Sequence, residues 1–450
     1  MDINLFKMIF SETDIIIIGA GAAGLMAARE LANAGKKVTI LEARNRIGGR
    51  VCTQQVAGFS KPIEAGAEFV HGDLPLTQTL LKEAGISLRT MTGKNYQFMK
   101  GVLQEAAAFI PDFDFLLDQL NEVPEDMPFS LFIAQYLNDG AHADLREAII
   151  RFAEGYDAAE IQKASTFALR EEWQTDGAAN SYHPVGGYGQ LMDFLAAAGK
   201  DQGAAIQLGV VVQKITWKAG RVEVICDQNR SYKACQVIVT VPLGVLLAQP
   251  QEEGYIHFNP EITEERKALA KMGFGAVIKI LLEFKTAFWE GNEEALSQGR
   301  ALPELSFLFA DTTPFTAWWT QLPRKEPILT GWLGGPLAAE WKNKTDEVIL
   351  NEALESLAFL MGTSVAFIQE QLQASQVVNW PADPYAQGAY TYATVGSTAA
   401  RQQLLLGMQN TIFFAGEAFY KGTAIGTVEA ALASGQTVAS NMIESSQLLD

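Results

Sequence analysis

The stretch from Asp14 to Arg50, DIIIIGAGAAGLMAARELANAGKKVTILEARNRIGGR, constrains the fold more than any other. Four consecutive isoleucines, Ile15 to Ile18, carry no polar alternation and so predict a strand covered on both faces. Gly19, Gly21 and Gly24 follow at once. In a strand–turn–helix unit the first glycine permits the tight turn and the second lets backbone approach a pyrophosphate. The third lets the helix, here predicted over 22–34, lie close on the sheet. Free N–H groups and the positive dipole end of that helix favour an anion. A second strand over 37–41 ends at Glu42, whose carboxylate suits ribose hydroxyls and disfavours a 2′-phosphate. Strand, glycines, helix and acid together predict a dinucleotide site. They leave FAD and NAD both open.

The run that follows, Glu42-Ala43-Arg44-Asn45-Arg46-Ile47-Gly48-Gly49-Arg50, resembles the second FAD motif of the flavin amine oxidase superfamily. That superfamily includes monoamine oxidases, polyamine oxidases and flavin-dependent histone demethylases. The resemblance implies FAD as the cofactor. Arg44 and Arg50 would bring fixed positive charge to the pyrophosphate and flavin edge, and Gly48-Gly49 would let the chain pass close to it.

Further segments resemble the same family in the same order. Ile63 to Gly72 (IEAGAEFVHG) is similar to its G-A-x-W-hydrophobic-x-G segment, which places Gly66 and Ala67 beside the isoalloxazine ring. His71 falls where some relatives have histidine and others glutamate; a solvated loop position is the alternative. Gly186 to Leu191 resembles the return to the FAD domain, and a backbone group near Val212 would meet the adenine. Val237 to Leu246 (VIVTVPLGVL) resembles the V-x-x-T-x-P-L-G-V-L box, which puts Thr240 at the cofactor. By its residues alone this box reads as a buried strand and a Pro-Gly turn.

Met272 to Phe284 reads as one strand, with Val277, Lys279 and Leu281 on one face and Ile278, Ile280 and Leu282 on the other. A lysine in such a run is costly to bury unless paired or watered. An edge strand that lets it reach solvent is the plain alternative. The family resemblance implies that Lys279 binds a water bonded to flavin N5.

Trp380 to Tyr390 (WPADPYAQGAY) resembles the W-x-x-D-P-[YW]-x-x-G-x-Y motif, with Tyr385 packing on the flavin and Tyr390 facing it. Ile412 to Glu417 predicts a buried strand ending in Gly416-Glu417 at the cofactor. The helix predicted over 427–442 aims its N-terminus at the flavin pyrimidine, where its dipole favours negative charge. Two departures matter. Ala389 stands where monoamine oxidases carry the cysteine bonded to the flavin, so FAD is expected to be non-covalent. Thr427 stands where those enzymes have the second tyrosine of an aromatic pair.

The resemblance runs from 14 to about 442. It implies an α/β fold: a Rossmann-type FAD-binding domain of the glutathione-reductase kind, interleaved with a mixed α+β substrate-binding domain. The first is expected over 1–88, 187–265 and 383–450, the second over 89–186 and 266–382. Apolar residues at helical spacing predict helices over 113–120, 129–137 and 143–155, in a region that also holds Glu154, Asp157, Glu160, Glu171 and Glu172. A β meander is expected from strands 207–216, 222–226 and 232–235. The aromatic run from Phe288 to Trp341 supplies core, and a few of its rings line an apolar channel.

Charge narrows the partners. A net charge of −18 argues against nucleic acid or anionic lipid and suits a cationic substrate, the plain alternative being that many soluble enzymes are simply acidic. Cys52, Cys226 and Cys235 are too few and too scattered for a disulfide framework or a zinc site, so no metal is expected. The first residues do not read as a secretory signal, and no apolar run reaches membrane-spanning length. A soluble cytoplasmic protein is expected, its oligomeric state open.

The chemistry implied is hydride transfer from the carbon next to an amine nitrogen to flavin N5. Reoxidation by O2 would then give H2O2, an aldehyde and an amine. Lys279, Tyr390 and His71 are the expected catalytic residues. A polyamine such as spermine, spermidine or an acetylated form is the expected substrate; a monoamine or an L-amino acid is the alternative, though no arginine stands out for a carboxylate. Histone demethylation is disfavoured for want of the insertion and extra domain those enzymes carry. From another class, a non-catalytic FAD-binding protein is opposed by Lys279 and Tyr390.

Overall fold

The computed structural model describes residues 13–106, 110–175, 181–291 and 300–447. The readings made on the first twelve residues and on the last three lie outside them.

Ile15–Ile18 is the middle strand of a five-stranded parallel sheet, ordered Ala205–Gln207, Val38–Leu41, Ile15–Ile18, Gln236–Val239 and Ile412–Phe414. Its two faces explain the unbroken isoleucine run. Ile15 and Ile17 enter a core shared with the helices Ala22–Asn33, Gly189–Asp201 and Val428–Gln447. Ile16 and Ile18 enter a second core, under a sheet formed by Val212–Lys218, Arg221–Cys226, Ser231–Ala234 and His257–Asn259. A strand covered on both faces has no place for a polar residue.

The expected strand over 207–216 is two strands. The first ends at Gln207 in the parallel sheet, and the second starts at Val212 in the other. Between them Gly209 takes φ +64°, and its N–H donates to the Arg44 carbonyl. That left-handed residue turns the chain from one sheet to the next. The Val237–Leu246 box likewise ends its strand at Val239, and Pro242 then opens a short helix, Leu243–Leu247, in place of a plain turn.

A second large sheet of seven strands runs in the order Leu372–Asn379, Val277–Phe284, Ile328–Gly334, Ala317–Trp319, Leu305–Ala310, Lys94–Met99 and Val102–Glu105. Val277–Phe284 is paired on both sides, with Lys279 opposite Trp332 on one neighbour and Val378 on the other. An edge-strand lysine is thereby ruled out. The expected longer strand is broken at Gly275, since Gly273–Phe274 pairs separately with Thr391–Tyr392. Ile278, Ile280 and Leu282 enter a core with Phe315, Trp318 and the helix Asp346–Met361. Leu281 and Val277 face the other way, toward Phe59, Ile63 and Ala389. Lys279 shares that second face.

The predicted helices are observed as Phe113–Asn121, Phe129–Tyr136 and Ala143–Gly155, joined by Thr166–Thr175. Leu116, Leu120, Phe132, Ile149 and Trp173 close a separate core between them. No single described helix is long and apolar enough to cross a membrane.

Candidate active site

The glycine turn is shaped by contacts a larger residue would break. Gly19 has φ +105°, and a Cβ on Gly24 would lie 2.1 Å from the Gly19 carbonyl oxygen. Thr240 braces the turn: its hydroxyl donates to the Ile18 carbonyl at 2.8 Å and lies 3.1 Å from that of Gly19. Gly21 is different. A Cβ there would meet nothing within 4 Å, and as the N-cap of Ala22–Asn33 it offers no side-chain cap. Open space in front of an uncapped helix N-terminus fits a pyrophosphate.

Around this turn the expected cofactor residues are held by one another. Glu42 is buried, one carboxylate oxygen accepting the Ala20 N–H at 2.8 Å and the other the Arg44 N–H at 2.9 Å. Arg44 pairs with Asp383 and lies 5.4 Å over the Tyr385 ring. Arg50 donates to the Ala389 carbonyl and, at 2.9 Å, to Glu417, which also accepts the Thr391 N–H. Each arginine thus carries its own counter-charge. Gly66 lies so tight on this segment that a Cβ would sit 1.8 Å from the Arg50 carbonyl oxygen, while the Ala67 N–H donates to that same oxygen at 3.0 Å. Gly416, at φ +149°, donates its N–H to Ser434. The Thr427 hydroxyl accepts the Ala430 N–H at 3.1 Å and so caps the last helix. Val212 and Tyr385 border one cleft of about 350 Å³, together with Asp227, Glu253 and Tyr255.

Lys279 is buried and paired. Its ammonium lies 2.6 Å from a Glu68 oxygen and 3.2 Å from the Gly66 carbonyl oxygen. From there a run of ring contacts links the three expected catalytic residues. Lys279 Nζ is 5.4 Å from the Trp319 ring centre, and Trp319 is 5.9 Å from Trp332. Trp332 is 6.5 Å from Tyr390, the two planes within 23° of parallel. On the other side Trp319 meets Phe69 at 5.6 Å, and Phe69 meets His71 at 5.2 Å. Backbone fixes the far end: the Trp332 indole N–H donates to the Gly155 carbonyl at 2.8 Å and the Tyr390 hydroxyl to that of Tyr156.

The electrostatics are uneven along this run. Burial, with His183 nearby, holds His71 down to about 4 against the pull of Glu68, so the ring is neutral at neutral pH. Its Nδ1 lies 2.9 Å from the Ser181 hydroxyl. Burial, and then the acids Asp157 and Glu172, push the Tyr390 hydroxyl well up, so it keeps its proton.

A family model described as flavin containing amine oxidoreductase matches residues 22–443. The chain belongs to that family. Among similar proteins, polyamine oxidase 2 of Arabidopsis thaliana is 28% identical over 92% of this chain and 84% of its own length. Lysine-specific histone demethylase 2 of Homo sapiens is 28% identical over 91% of this chain. Lysine-specific histone demethylase 1 homolog 3 of A. thaliana is 27% identical over 92%. The chain spans 51% and 29% of those two demethylases. A putrescine oxidase triple mutant superposes with a TM-score of 0.80 at 20% identity, covering 97% of this chain and 100% of the other. Cyclohexylamine oxidase from Brevibacterium oxydans gives 0.77 at 20%, with the same coverage. These two structures share the fold.

As a flavin-containing amine oxidoreductase the chain takes FAD, and the open ground at Gly21 would have room for its pyrophosphate. Sequence reading assigns no individual role to three residues that matter to this site: Glu68, Asp383 and Trp332. For Glu68 a signal existed. A lysine inside an apolar strand requires a counter-charge, and Glu68 is the one acid between the small residues Gly66-Ala67 and Phe69.

A second buried acid next to this pair gives a stability test. Both Glu64 oxygens lie 2.9 Å from the Thr53 hydroxyl, and one accepts the Tyr188 N–H at 2.8 Å. Burial, opposed by Tyr188 and reinforced by Glu68, raises its carboxyl from 4.5 to about 7. Below pH 4.5 it is protonated in folded and unfolded chains alike. As pH rises toward 7 only the unfolded chain ionises, so stability is lost through this window. Glu64→Gln is expected to abolish that loss, roughly 2–3 kcal/mol, and to be the more stable form at pH 8. Denaturant melts of both proteins at pH 5 and 8 check this; equal slopes would count against it.

Proposed function

We propose that this flavin-containing amine oxidoreductase acts on a polyamine or diamine, with O2 as electron acceptor and H2O2 as product. Bound FAD supplies the hydride acceptor, at N5. The chain's part is to admit a slender cation, neutralise its far end and present its reacting carbon.

The observation that carries the reading is the ring run ending in Tyr390, with carboxylates behind it. Near-parallel rings such as Trp332 and Tyr390 favour a methylene chain or an ammonium by dispersion and cation–π attraction. Asp157 is 6% exposed and acts electrostatically on Tyr390. It is our candidate for the distal ammonium. Neutral His71 accepts a hydrogen bond from the substrate nitrogen without repelling its charge. Lys279 anchors a water on the flavin side. Ala389 cannot bond the flavin, so FAD should leave the protein on denaturation.

The demethylases at equal identity favour one second reading, an N-methylated lysine side chain, which is also an amine on a methylene chain. Anaerobic mixing separates the two. Spermine, spermidine, their acetylated forms, putrescine, butylamine and a methyl-lysine peptide are each added and the visible flavin band is followed. Bleaching by the polyamines or putrescine supports the proposal, and bleaching by butylamine or the peptide alone refutes it.

Asp157→Asn refines the test. Losing one charged hydrogen bond to a distal ammonium should raise KM for the diamine about 10- to 100-fold with kcat little changed. Butylamine, with no second ammonium, should show no such rise. An equal change for both substrates would remove Asp157 from this role.

A further inference from the structure

Every residue of the strand Val277–Phe284 is buried, and the Lys279 side chain is 1% exposed. Glu68, its partner at 2.6 Å, is 2% exposed. Neither charge can be screened by water there, so the geometry of the pair decides what the lysine is able to do. Of the three N–H bonds of the ammonium, Glu68 takes one and the Gly66 carbonyl another. The second Glu68 oxygen accepts the Gln321 amide at 2.9 Å, and Gln321 accepts Arg324 at 3.1 Å. Arg324 is 38% exposed and also faces Glu326 at 3.5 Å. The carboxylate is therefore clamped from both sides, by the lysine inside and by a chain of donors reaching the surface.

The surrounding charges do not supply a substitute. His183 Nδ1 stands 3.8 Å from Glu68, but burial holds this histidine down, as it does His71. Arg89 and Arg324 act on His183. Glu64 feels both Glu68 and Lys279, and burial raises it. Burial alone would raise Glu68 as well, yet Lys279, joined by His183 and the Gln321 hydrogen bond, more than offsets it and holds the carboxyl below its ordinary value. A gap at position 68 would leave the ammonium in a dry site without a counter-ion.

We propose that Glu68 is a positioning residue that holds Lys279 protonated, aimed and charge-compensated, so that the lysine gives the flavin side one N–H. It gives neither a proton-accepting amine nor an unbalanced positive charge. Two of its three N–H directions are fixed by Glu68 and Gly66, which leaves one direction in which it can serve a water or the cofactor. This role depends on bound FAD and on Lys279 lying at the flavin's reactive side, as the family resemblance implies. It does not depend on which amine is oxidised.

The test uses the FAD-loaded protein without substrate. The oxidised flavin spectrum and the melting temperature are recorded from about pH 6 to 9, the range into which a buried, unpaired lysine moves. The wild type sets the reference profile. Glu68→Gln, close in shape but uncharged, should show one new ionisation in both readouts. Adding Lys279→Arg should remove it, because a guanidinium keeps its proton. Glu68→Asp keeps a carboxylate at shorter reach and should place the ionisation between that of Glu68→Gln and the wild-type profile. Should Glu68→Gln not fold, Glu68→Asp carries the test, its shorter reach moving the ionisation partway into the range. A Glu68→Gln profile that matches the wild type overturns the proposal. So does a new ionisation that persists with Lys279→Arg, which would belong to Glu64. A shift in melting alone, with the flavin spectrum unmoved, overturns the presentation of the lysine to the flavin.

Discussion

Gly24→Ala is expected to yield a protein that no longer retains FAD. The added Cβ would lie 2.1 Å from the Gly19 carbonyl oxygen and 3.0 Å from the Thr240 hydroxyl. The first of these is backbone, tied into the end of the central strand, and cannot swing aside. The helix Ala22–Asn33 must therefore lift off the sheet, at a cost of about 1–3 kcal/mol in stability. Its first N–H groups then leave the place where the pyrophosphate would be met. Losing one or two charged hydrogen bonds, roughly 3 kcal/mol, weakens FAD binding about 100-fold. Gly21→Ala provides the contrast. Nothing in the protein stands within 4 Å of its Cβ, so the FAD-free fold should melt as before while the methyl fills ground the cofactor needs. Flavin content per chain after desalting, with melting of the FAD-free proteins, checks both variants. Full flavin content in Gly24→Ala would remove the glycine turn from the cofactor site.

What was legible in the sequence was what is local. Isoleucines at four successive positions require two covered faces, and the parallel sheet provides them. Helical spacing over 113–155 needs only neighbours four residues away, and those helices appear within a residue or so of expectation. The strand over 207–216 failed because apolar patterning continues through Gly209, whose turn sends the chain into another sheet. The site's ion pairs were invisible for a different reason. Arg44 and Asp383 are 339 positions apart, as are Arg50 and the Ala389 carbonyl it binds. Spacing carries no information about such contacts.

The aromatic run shows the same limit in finer detail. Trp318 and Trp319 are adjacent, and strand alternation must send them to opposite faces. Sequence cannot say which face is core. In the structure Trp318 joins Phe315 and Trp341 in the core behind the seven-stranded sheet. Trp319 stands with Phe69, Trp332 and Lys279 on the site face. One register decides both, since Trp319 pairs with Thr330 and Trp332 pairs with Lys279.

That shared face makes Lys279→Met the variant with the widest consequences. The thioether fills much of the lysine stem but offers no N–H, so the water that our proposed function assigns to Lys279 would lose its anchor. Oxidation of the reduced flavin by O2 should slow about 100-fold, as when one preorganised donor is removed, while FAD stays bound. Stability falls too, because Glu68 keeps its place with its counter-ion gone. Breaking one side of a buried pair costs about 3–5 kcal/mol. The sign with pH follows from Glu68. In the wild type Lys279 holds its carboxyl low; in the variant burial prevails and raises it above its value in the unfolded chain. The variant is therefore most destabilised at high pH and recovers as pH falls and Glu68 takes a proton. Adding Glu68→Gln to Lys279→Met should restore most of the stability at pH 8 and none of the flavin reoxidation rate. Melts at pH 5 and 8 and stopped-flow mixing with oxygen separate the two effects. Wild-type reoxidation in Lys279→Met would take this lysine out of the chemistry, and a double variant as unstable as the single one would mean that Glu68 is not what the lysine stabilises.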